Sequence, residues 1–122
     1  MFEVTIIKSF SAAHLLAEIG GKCETLHGHN FKVEITVGAD QLNSNGLLID
    51  FRILKKYLGE VLEAIDHKHL NALSFFADVN PSAENIAQYI YEQMDAKVRT
   101  AGVRMVRVKI WESENASVTY LP

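Results

Sequence analysis

The chain has 122 residues, of which 48% are hydrophobic and 22% charged, and its formal net charge is −3. That length suits one domain over residues 1–122, and an acidic balance without a basic block argues against nucleic-acid binding. No apolar run could span a bilayer, the first residues lack the features of a signal peptide, and one cysteine excludes an internal disulfide. We therefore expect a cytoplasmic protein.

Two stretches near the N-terminus are predicted to be strands joined by a loop over residues 17–22. The first strand is predicted over residues 2–10. The second is predicted over residues 27–37, and between positions 31 and 37 its odd residues are apolar while its even residues are polar. Side chains two apart on a strand share a face. His27 and His29 have the parity of the apolar residues, so both rings are predicted to point into the protein.

The segment from Cys23 to His29 carries the first candidate site. His27 and His29 present two imidazoles to one face, which is half of a zinc site. His14 is the candidate for a third ligand, because a hairpin-like return would bring it beside His27. Each of these histidines, taken alone, also fits an ordinary polar residue at a strand end. Cys23 follows Lys22, and a neighbouring cation favours the thiolate form.

Two helices are predicted next. Asp50 is placed to cap the first helix, which ends near Asp66 and His67. A carboxylate beside an imidazole can orient it for proton transfer, although histidines and cations are also common at helix C-termini for electrostatic reasons. The second helix is predicted to open at Asn80 and Pro81, with asparagine as the cap and proline at the first helical position.

Two further carboxylates have open interpretations. Glu84 lies in the first turn of the second helix, where the default role is a favourable interaction with the helix dipole. Glu112 ends a strand predicted over residues 103–112, and it is either solvated at the strand end or working in a pocket. It shares the parity of an apolar row made of Val106, Val108 and Ile110. A last strand is predicted over residues 117–121.

The predicted order is strand, strand, helix, helix, strand, strand, which defines an α+β fold of ββααββ type. Two helices can cover only one face of the predicted four-stranded antiparallel sheet. The other face and the open sheet edges invite further copies of the chain, so we expect a homo-oligomer.

Several motifs occur together in a fixed order: Ala13-His14, Cys23-x-x-x-His27-Gly28-His29, Asp66-His67, Pro81-Ser82-Ala83-Glu84-Asn85 and Trp111-Glu112. In this order they resemble the 6-pyruvoyl-tetrahydropterin synthase family over essentially the whole chain. The three residues between the cysteine and His27 are typical of its bacterial branch, which forms 6-carboxy-tetrahydropterin. The resemblance implies the tunnelling fold (T-fold), in which subunits join their sheets into a barrel and two rings stack, typically as a hexamer with active sites between subunits.

The resemblance also implies an activity. The substrate would be 7,8-dihydroneopterin triphosphate, and the products 6-carboxy-tetrahydropterin, acetaldehyde and triphosphate, on the route to queuosine. His14, His27 and His29 would hold Zn²⁺.

The remaining family roles fall on acid/base residues. Cys23 would be the proton acceptor, and His67 the relay partner that Asp66 orients. Glu112 would belong to the same relay or to the wall that faces the pterin.

Substrate contacts are implied by the motif at the second helix. Glu84, with Ser82 beside it, would anchor the amino-pyrimidine edge of the pterin, because a carboxylate accepts two parallel hydrogen bonds there. Ala83 stands where relatives often have a hydroxyl residue, so one contact is expected to be missing. His69 matches no fixed residue of the family, although it lies close enough in sequence to be confused with His67.

Two alternatives remain at this stage. The pyruvoyl-forming branch has the same site and a different fate for the substrate side chain. A non-catalytic zinc module would use Cys23 and the three histidines as four closed ligands. That second reading leaves Asp66, His67, Glu84 and Glu112 without a common purpose.

Overall fold

The structure is a computed structural model that describes residues 1–17, 21 and 25–122. Within these residues it contains one five-stranded sheet of order β3-β1-β2-β4-β5 and two α-helices. The strands are β1 (Phe2–His14), β2 (His27–Ala39), β3 (Lys68–His69), β4 (Arg104–Ser113) and β5 (Ala116–Tyr120). The helices are α1 (Phe51–Glu63) and α2 (Ala83–Val98).

The longest pairing joins β1 and β2, which are antiparallel along their whole length. The register runs without a break from Phe2 opposite Ala39 to His14 opposite His27. An uninterrupted ladder preserves the alternation of faces. Both strands therefore extend beyond the predicted limits, and the hairpin-like return expected from the sequence sets His14 directly across from His27.

The sheet is mixed, which corrects the prediction of four antiparallel strands. After α1 the N–H of His67 donates to the carbonyl of Ser11, while the N–H of Ser11 donates to the Asp66 carboxylate at 2.9 Å. These two bonds hold the chain against the outer edge of β1. The next two residues, β3, consequently pair in parallel with Ala12 and Ala13.

The start of α2 also differs from the prediction. Ser82 is the N-cap, and its hydroxyl accepts the N–H of Asn85 at 3.2 Å, so the helix begins at Ala83 rather than at the preceding proline. Serine fills this role with a backbone outside the helical region, as N-caps require. Asn80, which the sequence suggested as the cap, instead bonds through its side chain to Ala17.

One bulge changes which residues of β4 face the core. Thr36 pairs with Arg107 but Val37 pairs with Met105, so Val106 is the extra residue between two ladder positions. Met105 is buried in its place, which corrects the predicted apolar row. Val108 and Ile110, beyond the bulge, are buried as predicted, and the pairing of β4 with β5 shifts once more between Trp111 and Ser113.

The core lies between the helices and the inner face of the sheet, with α1 against β1 and α2 against β4 and β5. The cap predicted for α1 is confirmed, because the Asp50 side chain accepts the N–H of Arg52 at 2.8 Å. In the described part of the chain, neither helix combines the length and apolar character needed to cross a membrane. His14, His27 and His29 lie at one corner of the inner face of the sheet.

Replacing Leu58 with alanine is expected to lower the free energy of unfolding by about 2–5 kcal/mol, because the side chain is fully buried and its removal leaves a cavity. Denaturant titration measures the loss. Leu47→Ala is the matched control, since that leucine is 46% exposed and should change stability by no more than about 0.5 kcal/mol. Equal losses in the two variants would contradict this position of the core.

Candidate active site

Three imidazoles converge where β1 ends and β2 begins. The ring centroid of His14 lies 4.5 Å from that of His27 and 5.3 Å from that of His29, and the latter two are 4.8 Å apart. One nitrogen from each ring lies within 4.8 Å of the other two. The strand register produces this directly, because His14 pairs with His27 and His29 is the next residue on the same face.

Backbone carbonyls fix the orientation of two of these rings. The Nδ1 atom of His14 lies 2.7 Å from the carbonyl oxygen of Pro81, and that of His27 lies 2.7 Å from the carbonyl oxygen of Thr25. A carbonyl only accepts, so each Nδ1 carries a proton. With Nδ1 committed to a carbonyl, Nε2 is the nitrogen that His14 and His27 have left for a metal ion.

The buried Nε2 atom of His14 is the strongest indication of a cation-binding site. The ring has no exposed surface, and Nε2 makes no hydrogen bond within residues 1–17, 21 and 25–122. Burial lowers the pKa of His14, which keeps the imidazole neutral. An unbonded buried acceptor is costly, whereas a bound cation would satisfy it. Three converging imidazoles, two of which bond to backbone carbonyls behind them, fit Zn²⁺.

Glu112 adds a carboxylate to this cluster. Its Oε1 atom lies 3.4 Å from Nε2 of His14 and 3.8 Å from Nε2 of His29. Glu112 lies near the end of β4, where the register with β5 shifts between Trp111 and Ser113. The nitrogen cluster therefore has a negative charge on its open side, where it can attract a cation or exchange a proton.

Asp66 and His67 form a dyad in the turn after α1. The Oδ1 atom of Asp66 lies 2.9 Å from the N–H of Ser11 and 3.0 Å from Nδ1 of His67. The hydrogen bond from Ser11, followed by that from His67, lowers the pKa of Asp66 and keeps it ionised. The backbone of His67 is left-handed, with φ of 57°, which is uncommon outside glycine and asparagine.

One member of the dyad and one member of the histidine cluster line a common cavity of about 470 Å³. His67 and His29 both contribute to its wall, and so does His69, which is exposed on β3. A molecule in this cavity could therefore contact the dyad and one member of the cluster together. Among the described residues, His69 forms no hydrogen bond or ion pair with Asp66.

The residues expected to hold substrate lie around a second, smaller cavity. It has a volume of about 90 Å³, and its wall includes Ser82, Ala83, Glu84 and Glu112. Glu84 is exposed, while Ser82 is half-buried and already serves as the N-cap. Cys23 lies outside the described residues.

The family comparison gives this site its context. Residues 3–122 match the family model described as 6-pyruvoyl tetrahydropterin synthase. The chain belongs to this family. The match spans nearly the full length, so it includes all the strands and helices described above.

Two curated relatives illustrate the range of the family. The chain is 36% identical to human 6-pyruvoyl tetrahydrobiopterin synthase, over 92% of this chain and 86% of the human protein. It is 33% identical to the 6-carboxy-5,6,7,8-tetrahydropterin synthase of Bacillus subtilis, over 99% of this chain and 86% of that protein. The two names occur at similar identity, so the relatives establish a tetrahydropterin synthase without selecting its branch.

A solved structure confirms the fold. The chain superposes on the 6-pyruvoyl tetrahydropterin synthase of Caenorhabditis elegans with a TM-score of 0.88 at 27% identity, covering 99% of this chain and 95% of the other. The α+β T-fold expected of the family is therefore the fold of this chain.

Sequence reasoning missed the groups that support the cluster from behind. The carbonyl of Pro81 contacts His14, and the side chains of Asn71 and Asn80 bond to the backbone just after β1. All three contacts cross more than fifty positions of the chain, so no local pattern marks them.

Proposed function

We propose that this chain is a zinc-dependent 6-carboxy-tetrahydropterin synthase of queuosine and 7-deazapurine biosynthesis. It converts 7,8-dihydroneopterin triphosphate to 6-carboxy-5,6,7,8-tetrahydropterin, acetaldehyde and triphosphate. The observation that carries the proposal is the convergence of His14, His27 and His29 around one unbonded buried nitrogen. The short spacing between Cys23 and His27 favours the carboxy-forming branch.

The histidine cluster would hold Zn²⁺, which supplies a Lewis acid for the hydroxyl oxygens of the substrate side chain. Around it, the protein's own groups move protons. His67 bonds through Nδ1 to Asp66, which leaves its Nε2 atom free to take or return a proton in the shared cavity. Asp66, kept ionised by the Ser11 amide, stabilises the ring when it is protonated.

Carboxylates on the other side of the cluster are assigned to the substrate. Glu84, assisted by Ser82, anchors the amino-pyrimidine edge of the pterin through paired hydrogen bonds. Glu112, which lies against His14 and His29, either joins the proton relay or forms the wall that faces the pterin. Support for this division comes from the small cavity, to which Ser82, Glu84 and Glu112 all contribute. Ala83 offers no hydroxyl there.

Product analysis tests the branch. Incubation of the zinc-loaded protein with 7,8-dihydroneopterin triphosphate should release acetaldehyde together with 6-carboxy-tetrahydropterin, detected by mass spectrometry. The second candidate is the pyruvoyl-forming reaction, which the 36% identity to the human enzyme supports. Triphosphate release without acetaldehyde would establish that candidate and remove the first.

Cys23→Ala is expected to keep the fold and the zinc but to lower turnover by about 10²–10⁴-fold, because it removes the proposed proton acceptor. Zinc content by elemental analysis and steady-state kinetics measure the two effects. Retained activity would take the thiol out of the mechanism.

The cobalt-substituted protein separates this enzyme from a non-catalytic zinc module. With an uncoordinated thiol, the spectrum should contain no sulfur-to-metal charge-transfer band, and it should not change in Cys23→Ala. A strong band that disappears in the variant would show the cysteine as a fourth, closed ligand.

We further expect a cytoplasmic homo-oligomer, a hexamer of two rings in which sheets join edge to edge. The exposed edges at β3 and β5 support this assembly, because unpaired strand edges bind further strands. Light scattering of the purified protein measures the mass, and a monomer would contradict the expectation.

A further inference from the structure

Two asparagine side chains bind the backbone that follows His14. Asn71 accepts the N–H of Leu15 through Oδ1 at 2.9 Å and donates through Nδ2 to the carbonyl of the same residue at 3.1 Å. Asn80 does the same to Ala17, at 2.9 Å and 3.0 Å. A primary amide offers one acceptor and one donor side by side, as a neighbouring strand does. We call these two amides the asparagine clamp.

The clamp binds the chain directly beyond the last ladder position of β1. Leu15 follows His14 immediately, and Ala17 lies in the turn that comes next. The ordinary role of an asparagine before a helix is capping, but Ser82 caps α2 and leaves the Asn80 amide for this contact. A bidentate amide contact holds the peptide groups on both sides of its residue, whereas a single bond would hold only one of them.

One half of the clamp, Asn80, belongs to the same short segment that holds the His14 ring. The side chain of Asn80 binds Ala17, and the next residue, Pro81, accepts the Nδ1–H of His14 at 2.7 Å. The amide of Asn85 donates to the carbonyl of Asn80 at 2.7 Å and ties the segment to α2. The direction of the backbone after His14 and the direction of its ring are therefore set together.

We propose that Asn71 and Asn80 are positioning residues for the metal site, and that they act by holding His14 in the orientation that aims Nε2 at His27 and His29. This inference rests on the proposed zinc site. Without the clamp the backbone after β1 loses its hydrogen bonds at Leu15 and Ala17. The His14 ring can then rotate away from the cluster while the hydrophobic core remains in place.

Alanine replacement tests the clamp through zinc affinity, measured by competition with a chromophoric chelator. Asn71→Ala and Asn80→Ala are each expected to weaken zinc binding by about 10–100-fold, the usual effect of losing an outer-shell partner. The cobalt-substituted variants should also have altered ligand-field spectra. In the metal-free protein, amide hydrogen exchange should accelerate at Leu15 in the first variant and at Ala17 in the second.

Asn43→Ala is the matched control. The Asn43 side chain also accepts backbone N–H groups, from Asn45 at 2.9 Å and Leu47 at 3.1 Å, but in a turn at the far end of β2. We expect it to lower the melting temperature without changing zinc affinity. The proposal would be overturned if both clamp variants had the zinc affinity and the cobalt spectrum of wild type and lost only melting temperature, as Asn43→Ala is expected to do.

Aspartate replacements cover the case in which the alanine variants do not fold. Asn71→Asp and Asn80→Asp keep the acceptor oxygen and lose the donor. Zinc affinity should therefore fall, but by less than in a complete loss of the clamp. An unchanged zinc affinity would overturn the proposal. Zinc binding is measured without pterin. If the clamp variants bind zinc more weakly but the wild-type protein does not turn over pterin, the proposed function is contradicted and the role of the clamp is supported.

Discussion

His14→Ala is expected to lose bound zinc and, with it, turnover. The ring is fully buried, its Nδ1–H is committed to the Pro81 carbonyl, and its Nε2 atom has only the cluster and Glu112 to face. Two imidazoles do not complete a three-ligand catalytic site. Zinc content after gel filtration should fall from about one ion per chain to almost none, measured by elemental analysis.

The loss of the ring must be separated from the loss of the metal. Chelator-treated wild type is the comparison for folding, because it lacks zinc but keeps the packing around His14. His69→Ala is the matched histidine control, since that ring is exposed and outside the cluster, and it should keep full zinc content. A stoichiometric, tightly held zinc in His14→Ala would remove this residue from the site and leave the proposed mechanism without its third ligand.

The inward orientation of His27 and His29 could be predicted from alternation alone. The apolar residues of β2 at odd positions indicate its buried face, and His27 and His29 have the same parity. That argument holds when no bulge intervenes, and the ladder between β1 and β2 has none. The partner His14 followed from the hairpin topology. The parity of Glu112 also indicated the side of the sheet on which the histidines lie.

Features that depend on long-range hydrogen bonds could not be predicted from alternation. A two-residue strand such as β3 has no period, and its place depends on bonds between Ser11 and residues 66–67. The bulge at Val106 depends on how β4 meets β2, which local alternation does not reveal. Asn80 has the local features of a cap, but its partner Ala17 lies 63 positions away. Cys23 was predicted as the proton acceptor, and that role stays a prediction.

The second large effect is expected at the Asp66–His67 dyad. His67→Asn should lower kcat by about 10²–10⁴-fold and leave zinc content unchanged, because it removes a proton-transfer group outside the histidine cluster. Asparagine is the better replacement here than alanine, since the backbone at this position has φ of 57° and asparagine tolerates that region. Steady-state kinetics with elemental analysis measures both quantities.

Two further variants show which part of the dyad acts. Asp66→Asn keeps an oxygen that can accept from Ser11 and from His67 but removes the negative charge, so a loss of kcat with KM and zinc unchanged would come from charge alone. His69→Ala removes the other exposed imidazole of the shared cavity and should retain kcat within a few-fold. If His69→Ala loses activity while His67→Asn keeps it, His69 and not His67 transfers the proton, which contradicts our assignment. The left-handed turn at position 67 would then serve only to pair β3 with β1.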